Sequence, residues 1–242
     1  ATGHYAKIKK QNGLYHLLRG EDKSKDQSYF LYRLDQSQIS KSIFPLEKIN
    51  KKNVRKIADD LGFLNYDKKD STGICFIGER NFRGFLKKFI KPKPGNIINN
   101  KGTTIGKHEG LSFYTLGQRQ GLGIGGGHGI KEAPWYVSEK IISSNELVVV
   151  QGHNHPDLYH NQLIARNVSW ITGHPPSKNK KLTAKIRYRG KDSFCSLILD
   201  RNGILVNFDT PMFAITPGQS IVFYENEYCL GGGIIESRSN IN

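Results

Sequence analysis

The sequence predicts a chain in three parts, with helices in the first part and an antiparallel β-structure in the last. Up to about Gly78, apolar residues recur at helical spacing between loops. From Gly95 to about Gly152 the chain is rich in glycine and has short strand-like runs. From His153 to the end, strand-like runs alternate with turn residues, which is typical of a small antiparallel sandwich or barrel.

Two helices are predicted in the first part. Ser24 and Gln27 have the spacing of a capping box and precede an apolar run at 28–34, so we expect a helix to begin there. An amphipathic helix is expected from Asn50, with Gly62 at its end. Its apolar positions recur at intervals of three and four residues: Val54, Ile57, Ala58 and Leu61.

A third helix is expected from about Asn81 and should end before Pro92 and Pro94. Its apolar face is predicted to pack in a core rather than to stack nucleobases, because stacking surfaces lie on exposed sheets or loops. That face consists of Phe82, Phe85, Leu86, Phe89 and Ile90. The strand-like runs of the middle part are 96–100, 112–116, 134–142 and 146–152. Those of the last part are 163–171, 181–190, 193–200, 203–208 and 220–235.

The charge balance indicates a polyanionic partner. The chain has 36 Lys and Arg against 21 Asp and Glu, which gives a formal net charge of +15. Neutralised phosphates release counterions, so such a surplus favours nucleic-acid binding. A solvated basic surface is the alternative. Because no basic tail concentrates the charge, we expect the fold to build any polyanion site.

The sequence has no apolar run of membrane-spanning length and no signal-peptide pattern, so we expect a cytoplasmic protein without a membrane partner. The first residue is Ala1 and the only methionine is Met212. This indicates a processed chain or a fragment of a longer protein.

Two motifs are weak evidence for a ligand-binding site. Residues 121–126 satisfy G-x-G-x-x-G, but Gly127, Gly129 and Pro134 follow and prevent a helix, so dinucleotide binding is disfavoured. A loop that a ligand can approach is the favoured interpretation. A small polar cluster lacks the usual zinc spacing, so we expect a turn there and no tightly bound metal. The cluster consists of His153, His155, Asp157 and His160.

Three cysteines are too few and too scattered for a disulfide scaffold. Cys195 and Cys229 alternate with apolar neighbours and are predicted to lie in the core. Cys75 stands between glycines and near Lys68 and Lys69, and nearby lysines lower a thiol pKa and favour the nucleophilic thiolate. A buried structural cysteine is the alternative for Cys75.

Two further segments could contact a ligand. Residues 187–189 (Arg-Tyr-Arg) lie on a predicted strand. They are suited to phosphate contact and base stacking, but an exposed strand face explains them equally well. Residues 216–219 (Thr-Pro-Gly-Gln) predict a turn in which Gln219 can hydrogen-bond a ligand.

Several strings, taken in order, resemble the MnmA family of bacterial tRNA-specific 2-thiouridylases over essentially all 242 residues. The most specific are ICFIGER at 74–80 and TLGQRQGLGIGG at 115–126. Others are ATGHY at 1–5, KDQSYFLYRL at 25–34, VRKIADDLG at 54–62, PWYV at 134–137, RYR at 187–189, TPGQS at 216–220 and CLGGGII at 229–235.

The resemblance implies ATP-dependent adenylation of C2 of the wobble uridine in tRNAs for Lys, Glu and Gln. A cysteine persulfide then delivers sulfur to that carbon, and AMP is released. The resemblance assigns the persulfide to Cys75 and an ATP contact to Gly3, with Mg-bound ATP as a substrate and no organic cofactor. The implied partners are tRNA and a persulfide donor, either a sulfur-relay protein or a cysteine desulfurase. The implied tRNA contacts are His4, Lys25, Asp26, Gln27, Arg187, Tyr188 and Gln219.

The resemblance also implies the fold. Residues 1–80 would be the C-terminal part of an α/β ATP-pyrophosphatase domain of the adenine nucleotide alpha hydrolase type. A small α+β central domain would follow at 81–152 and an antiparallel β-barrel that binds tRNA at 153–242. The family's SGGxDS phosphate loop and the second catalytic cysteine, which resolves the persulfide, are absent from this sequence. We therefore expect the natural protein to be longer and these residues alone to be inactive.

Two other functions fit part of the pattern. A non-catalytic RNA-binding relative would share the charge, the barrel and residues 187–189. A sulfur-relay protein would accept a persulfide on Cys75 without adenylating a substrate, and it would need no tRNA.

Overall fold

The computed structural model describes residues 1–68, 82–124, 133–177, 180–200 and 203–241. The chain divides into two compact units. The first unit combines Ala1–Lys68 with Asn161–Pro211 and Thr216–Asn242, and the second combines Lys69–His160 with Met212–Ile215. The opening segment and most of the C-terminal strands therefore belong to one unit.

The described residues contain twelve strands and three α-helices. The strands are β1 (Ala6–Gln11), β2 (Leu14–Arg19), β3 (Gly95–Asn99), β4 (Thr104–His108), β5 (Trp135–Ile141), β6 (Glu146–Gln151), β7 (Tyr159–Trp170), β8 (Leu182–Lys185), β9 (Ser193–Asp200), β10 (Gly203–Phe213), β11 (Ser220–Glu225) and β12 (Tyr228–Ser239). The helices are α1 (Gln36–Ile39), α2 (Lys51–Asp60) and α3 (Phe82–Leu86). Across these ranges no helix is long and apolar enough to span a membrane.

The first unit contains a closed antiparallel barrel. Its sheet has the strand order β1-β2-β12-β11-β8-β9-β10-β7, and β7 also pairs with β12. Six strands therefore close on themselves, and the β1–β2 hairpin extends the sheet from β12. Between a sandwich and a barrel, the structure selects the barrel.

Glycines allow β12 to pass close to its neighbours where the barrel closes. A Cβ on Gly231 would lie 2.1 Å from the Ser169 carbonyl oxygen, and one on Gly232 would lie 2.2 Å from that of Ile221. The register of β12 also shifts against both β7 and β11 in this region. The glycines of the CLGGGII string thus have a packing role.

Strand β11 is buried on both faces, with Ile221 to Tyr224 all inaccessible to solvent. Val222 and Tyr224 pack with side chains from the segment before α2, in a cluster that contains Tyr29, Tyr32, Ile39 and Phe44. The opening segment therefore covers the outer face of a barrel strand, and this burial gives its irregular backbone a defined position.

The β1–β2 hairpin was not predicted. Asn12 and Gly13 have φ angles of 51° and 79°, and Gln11 pairs with Leu14 across them. A two-residue turn with both φ angles positive matches the twist of the flanking strands and favours Asn-Gly. The dipeptide was therefore a local signal for this hairpin.

The helix predicted at Ser24 is wrong. The structure has only a 3-10 helix at Ser28–Phe30, without a side-chain cap. The Asp26 carboxylate accepts hydrogen bonds at 3.1 Å from the N–H groups of Gly20 and Ser28. These local side-chain bonds compete with helix formation.

Helix α2 confirms the prediction of a helix between Asn50 and Gly62. The Asn50 side chain caps it by accepting from the Asn53 N–H at 2.8 Å, and Gly62 follows its end with φ of 73°. All ten residues of α2 are described and none is buried, and Ile57 is 47% exposed. The apolar stripe expected from the sequence is present on an uncovered helix.

The second unit contains a four-stranded sheet with the order β4-β3-β6-β5. Strands β3 and β6 are parallel, and the other pairs are antiparallel. The predicted strand at 112–116 is wrong, because a 3-10 helix occupies Leu111–Phe113. Helix α3 has five residues, and Phe89 beyond it is 72% exposed, so its predicted core position is wrong. The mixed sheet and the closed barrel nevertheless agree in outline with the predicted fold class.

The string at 115–126 forms a turn that is tied to β5. Gly117, with φ of 77°, donates to the Val137 carbonyl at 2.7 Å, and the Gln118 carbonyl accepts from the Val137 N–H at 3.0 Å. Arg119 is exposed next to this turn. No helix begins in its described part, which ends at Ile124, and residues 125–132 lie outside the described ranges.

Candidate nucleic-acid interface

Segments that are distant in the sequence meet in the first unit. Gln27 exchanges two hydrogen bonds with Tyr5: its side-chain oxygen accepts from the Tyr5 N–H at 3.0 Å, and its own N–H donates to the Tyr5 carbonyl at 2.9 Å. The Tyr29 hydroxyl donates to the Ser220 carbonyl at 2.8 Å. These bonds join residues 1–5 to 25–30, and 25–30 to the turn that ends at Gln219.

Arg187 joins the same group of segments. It lies in a turn after β8 and not on a strand, so the strand predicted for residues 187–189 is wrong at these positions. Its Nη2 donates to the Thr216 hydroxyl at 3.3 Å. Burial lowers the pKa of the Arg187 guanidinium, and the neighbouring Tyr29 opposes the shift. The group stays charged and is partly desolvated, so a phosphate that binds it has less water to displace.

Asp26 connects these loops from inside the unit. Its carboxylate accepts from the Ser28 hydroxyl at 3.0 Å and lies 3.9 Å from Arg19, and both side chains are buried. Arg19 also donates to Asp192 at 2.6 Å, and its guanidinium stands 3.7 Å from the centre of the Tyr224 ring. Arg19 thus connects the loop at 20–28 to the chain that follows residues 187–189.

Gln219 lies at the edge of this group. Its backbone is fixed, since its N–H donates to the Thr216 carbonyl at 3.2 Å and its carbonyl accepts from the Ile235 N–H at 2.8 Å. Among the described residues its side-chain oxygen has no hydrogen-bond partner, although that atom is buried. Because it is buried, this oxygen is not accessible to an RNA ligand in the arrangement described.

The remaining residues with implied roles are placed as follows. Lys25 and Tyr188 are close enough for the lysine charge to affect the tyrosine pKa. His4 has its Nδ1 2.7 Å from the Thr2 hydroxyl oxygen and adjoins Tyr5. Gly3 is exposed, and a Cβ built on it would have no neighbour within 4 Å. The structure therefore brings together the implied tRNA contacts near residues 25–30, 187–189 and 216–219.

Cys75 lies outside the described residues. Cys195 and Cys229 are buried, as predicted. Burial raises the pKa of each thiol to about 12. These two cysteines are therefore poor nucleophiles at neutral pH.

The histidine cluster forms a polar, aromatic turn. His153 stacks on Phe213 with ring centres 4.5 Å apart, and its Nδ1 lies 3.1 Å from the Tyr159 hydroxyl. The His155 ring accepts from the Asp157 N–H at 3.3 Å. Within the described ranges no group of three or more His, Cys, Asp and Glu side chains could hold a metal ion.

Four residues of this interface were not predicted: Arg19, Tyr29, Phe30 and Asp192. Arg19 ends β2 and faces the interior, at a position where alternation would place an apolar residue. Phe30 is 55% exposed, although it belongs to the apolar run at 28–34. No local pattern in the sequence connects Asp192 to Arg19, since 173 positions separate them.

Three family models match consecutive parts of the chain. They are the tRNA methyl transferase HUP domain at 1–79, the tRNA methyl transferase PRC-barrel domain at 83–151 and the aminomethyltransferase beta-barrel domain at 160–235.

Curated relatives match nearly the whole chain, and each is described as tRNA-specific 2-thiouridylase MnmA. The protein from Hydrogenovibrio crunogenus is 52% identical over 98% of this chain and 63% of its own length. Those from Nitrosomonas eutropha and Alkalilimnicola ehrlichii are 53% and 50% identical, over 97% and 100% of this chain and 65% and 66% of their own lengths. The chain thus spans slightly less than two thirds of these relatives.

Proposed function

Because the chain belongs to the MnmA family of tRNA-specific 2-thiouridylases, we propose that it functions in the thiolation of the wobble uridine of tRNA at C2. The reaction class is sulfur transfer, and the substrates are ATP and the tRNAs for Lys, Glu and Gln. The proposed setting is the cytoplasm.

One observation supports the tRNA part of this proposal most directly. Residues near 25–30, 187–189 and 216–219 lie far apart in the sequence and are joined by side-chain hydrogen bonds in one unit. They present cations and aromatic rings together. RNA loops are recognised through phosphate contacts and base stacking of this kind.

The proposed chemistry proceeds in two stages. ATP adenylates the C2 oxygen of the uridine, which makes that oxygen a good leaving group, and pyrophosphate is released. The terminal sulfur of a persulfide on Cys75 then attacks C2, and AMP leaves. A second cysteine thiolate attacks the Cys75 sulfur, so that a disulfide forms and the 2-thiouridine is released. A sulfur-relay protein or a cysteine desulfurase would supply the persulfide, and Gly3 would contact ATP.

The proposed domain roles follow the same division as the sequence prediction. Residues 1–80 would contribute to an α/β ATP-pyrophosphatase domain, 81–152 would form the central domain, and 153–242 would form the tRNA-binding barrel. Because the 242 residues contain no SGGxDS string, we expect them alone to bind tRNA without thiolating it.

The first experiment is binding of this chain to unmodified tRNA-Lys across a salt series, with a DNA duplex of equal size as competitor. We expect preferential binding to the tRNA, with an affinity that falls as salt rises. Equal binding to both nucleic acids would contradict the proposed recognition, because charge alone would then account for it.

The role of Cys75 is tested by Cys75→Ser in a protein that also contains the SGGxDS loop. We expect loss of thiolation with tRNA affinity within about twofold of the parent, since serine cannot form a persulfide and no binding role is assigned to the thiol. Cys195→Ser is the matched control, because that thiol is buried with a raised pKa. A large fall in tRNA affinity in Cys75→Ser would contradict the assignment.

Two alternatives make different predictions in these experiments. A non-catalytic RNA-binding relative would bind tRNA with the same preference, and Cys75→Ser would not change its function. A persulfide relay protein would accept sulfur on Cys75 and show no preference for tRNA.

A further inference from the structure

Phe30 presents an apolar ring at the surface of the first unit. It is the last residue of the 3-10 helix at Ser28–Phe30 and is 55% exposed. Its ring centre lies 4.4 Å from that of Tyr188, with 39° between the planes, and 5.6 Å from that of Tyr29 in an edge-to-face arrangement. The Tyr29 ring centre also lies 6.3 Å from that of Tyr188, so Tyr29 adjoins both rings of the Phe30–Tyr188 pair.

Both rings are attached to a fixed backbone. The 3-10 helix is anchored on one side by the bonds of Ser28 to the buried Asp26 and on the other by the bond of Tyr29 to Ser220. The turn that carries Tyr188 is closed by the Gly190 N–H, which donates to the Arg187 carbonyl at 3.0 Å. An aromatic pair on such a frame loses little conformational entropy when it binds a planar ligand.

Charges of both signs lie near the pair. The Arg189 guanidinium lies 5.9 Å from the centre of the Tyr188 ring. Burial raises the pKa of the Tyr188 hydroxyl; Arg189 and Lys25 oppose the rise, whereas Asp26 and Asp22 add to it. Of the two carboxylates, Asp26 is paired with Arg19, and Arg189 and Lys25 are the cations that a phosphate beside the aromatic surface could contact.

We propose that Phe30 and Tyr188 form a stacking platform for an unpaired nucleobase of the RNA substrate. This inference rests on the proposed function and assigns a binding role to Phe30, which is not among the tRNA contacts that the resemblance implies. An aromatic face with flanking cations suits a base and its phosphate, because each base has a π-face and each nucleotide has a charge. A base inside a duplex is already stacked on both sides, so the ligand is a base in a single-stranded loop.

Phe194 provides a matched comparison in the same unit. It is 46% exposed, and the ammonium of Lys181 lies 4.1 Å from its ring centre. It projects from β9 and pairs across the ladder with Thr183, so no aromatic partner stands opposite it on that strand. Phe194→Ala removes an exposed phenyl ring beside a cation without touching the proposed platform.

The test measures the affinity of the 242-residue chain for two RNAs: a hairpin with the anticodon loop of tRNA-Lys, and a blunt duplex with the same stem. For the hairpin we expect Phe30→Ala and Phe30→Leu to bind about 10-fold more weakly, and Phe30→Trp to bind within about twofold of the parent. Leucine keeps the apolar volume without a flat ring. Phe30→Leu therefore still tests stacking if Phe30→Ala does not fold. Duplex affinity should not change, and Phe194→Ala should behave as the parent.

The salt dependence separates stacking from charge. Phe30 carries no charge, so its variants should lose affinity with the slope of log affinity against log salt unchanged. Parent-like hairpin binding by Phe30→Ala and Phe30→Leu would overturn the platform, and so would a fall in the slope. If the parent itself does not prefer the hairpin to the duplex, the proposed RNA recognition fails instead.

Discussion

Adjacent residues in the segment 25–27 have different surroundings. Lys25 is close enough to Tyr188 for its charge to lower the pKa of the Tyr188 hydroxyl, and Gln27 is bonded through its side chain and its backbone to Tyr5. The carboxylate of Asp26 is buried, accepts hydrogen bonds from Gly20 and Ser28, and forms an ion pair with Arg19. We therefore propose that Lys25 faces RNA while Asp26 positions the loop, although the family resemblance assigns all three residues to tRNA contact.

Arg187 is the residue whose charge we expect to matter most directly. Arg187→Ala should weaken tRNA binding and reduce the magnitude of the salt slope by about one, because one phosphate contact releases about one counterion. Arg166→Ala is the control: Arg166 lies on β7 and pairs with Glu236 at 2.9 Å. The measurement is tRNA affinity from low to moderate salt. An unchanged slope for Arg187→Ala would assign this arginine to packing.

At the scale of elements, local signals explain most of the successful predictions. The run at 193–200 forms β9 with the predicted bounds, and α2 begins after Asn50 and ends before Gly62. In both cases the pattern and the turn or capping residues lie within a few positions of each other. The capping box expected at Ser24 failed because Asp26 and Ser28 have hydrogen-bond partners elsewhere in the unit, including Tyr224.

The ion pair between Arg19 and Asp192 should couple two elements of the interface. Asp192→Asn keeps the side-chain shape but removes the charge from a pair in which Asp192 is 40% exposed. We expect a loss of about 1 kcal/mol or less in unfolding free energy. We also expect about threefold weaker tRNA binding, because the turn at 187–192 loses its connection to the loop at 20–28.

Whether Asp192→Asn weakens or strengthens tRNA binding distinguishes loss of positioning from loss of negative charge. Removing a negative charge should by itself strengthen RNA binding, and Glu225→Gln, which breaks the Lys180 pair at 2.8 Å, measures that contribution. In an Arg187→Ala background the loss caused by Asp192→Asn should disappear, since the turn then has less to position. Tighter binding by Asp192→Asn, or an equal loss in both backgrounds, would contradict the coupling.

At the scale of the whole molecule, the net charge of +15 suits a polyanion, and two buried thiols link stability to alkaline pH. Burial raises the pKa of both Cys195 and Cys229 to about 12, against an ordinary value near 9. Below pH 9 the folded and unfolded chains both keep these protons. Between about pH 9 and 12 only the unfolded chain releases them, so unfolding becomes easier as pH rises.

The unfolding free energy should therefore fall above pH 9, by up to about 1.4 kcal/mol per pH unit for each thiol. Urea denaturation at several pH values from 8 to 10.5 measures this slope. Cys195→Ala should lower the overall stability and make the slope shallower by the contribution of one thiol. The same slope in the parent and the variant would show that Cys195 does not remain protonated in the folded state over this range.

The sequence by itself determined the family, several strands of the barrel, helix α2 and the buried state of two cysteines. Each of these depends on residues close in the chain, or on long strings whose order is preserved. Only the tertiary structure decided which side chains of residues 25–30, 187–192 and 216–220 contact one another. Those contacts depend on how β2, β8, β11 and β12 pair within one sheet. Strand pairing across such sequence separations is selected by the burial of the whole unit, and no short window of sequence records it.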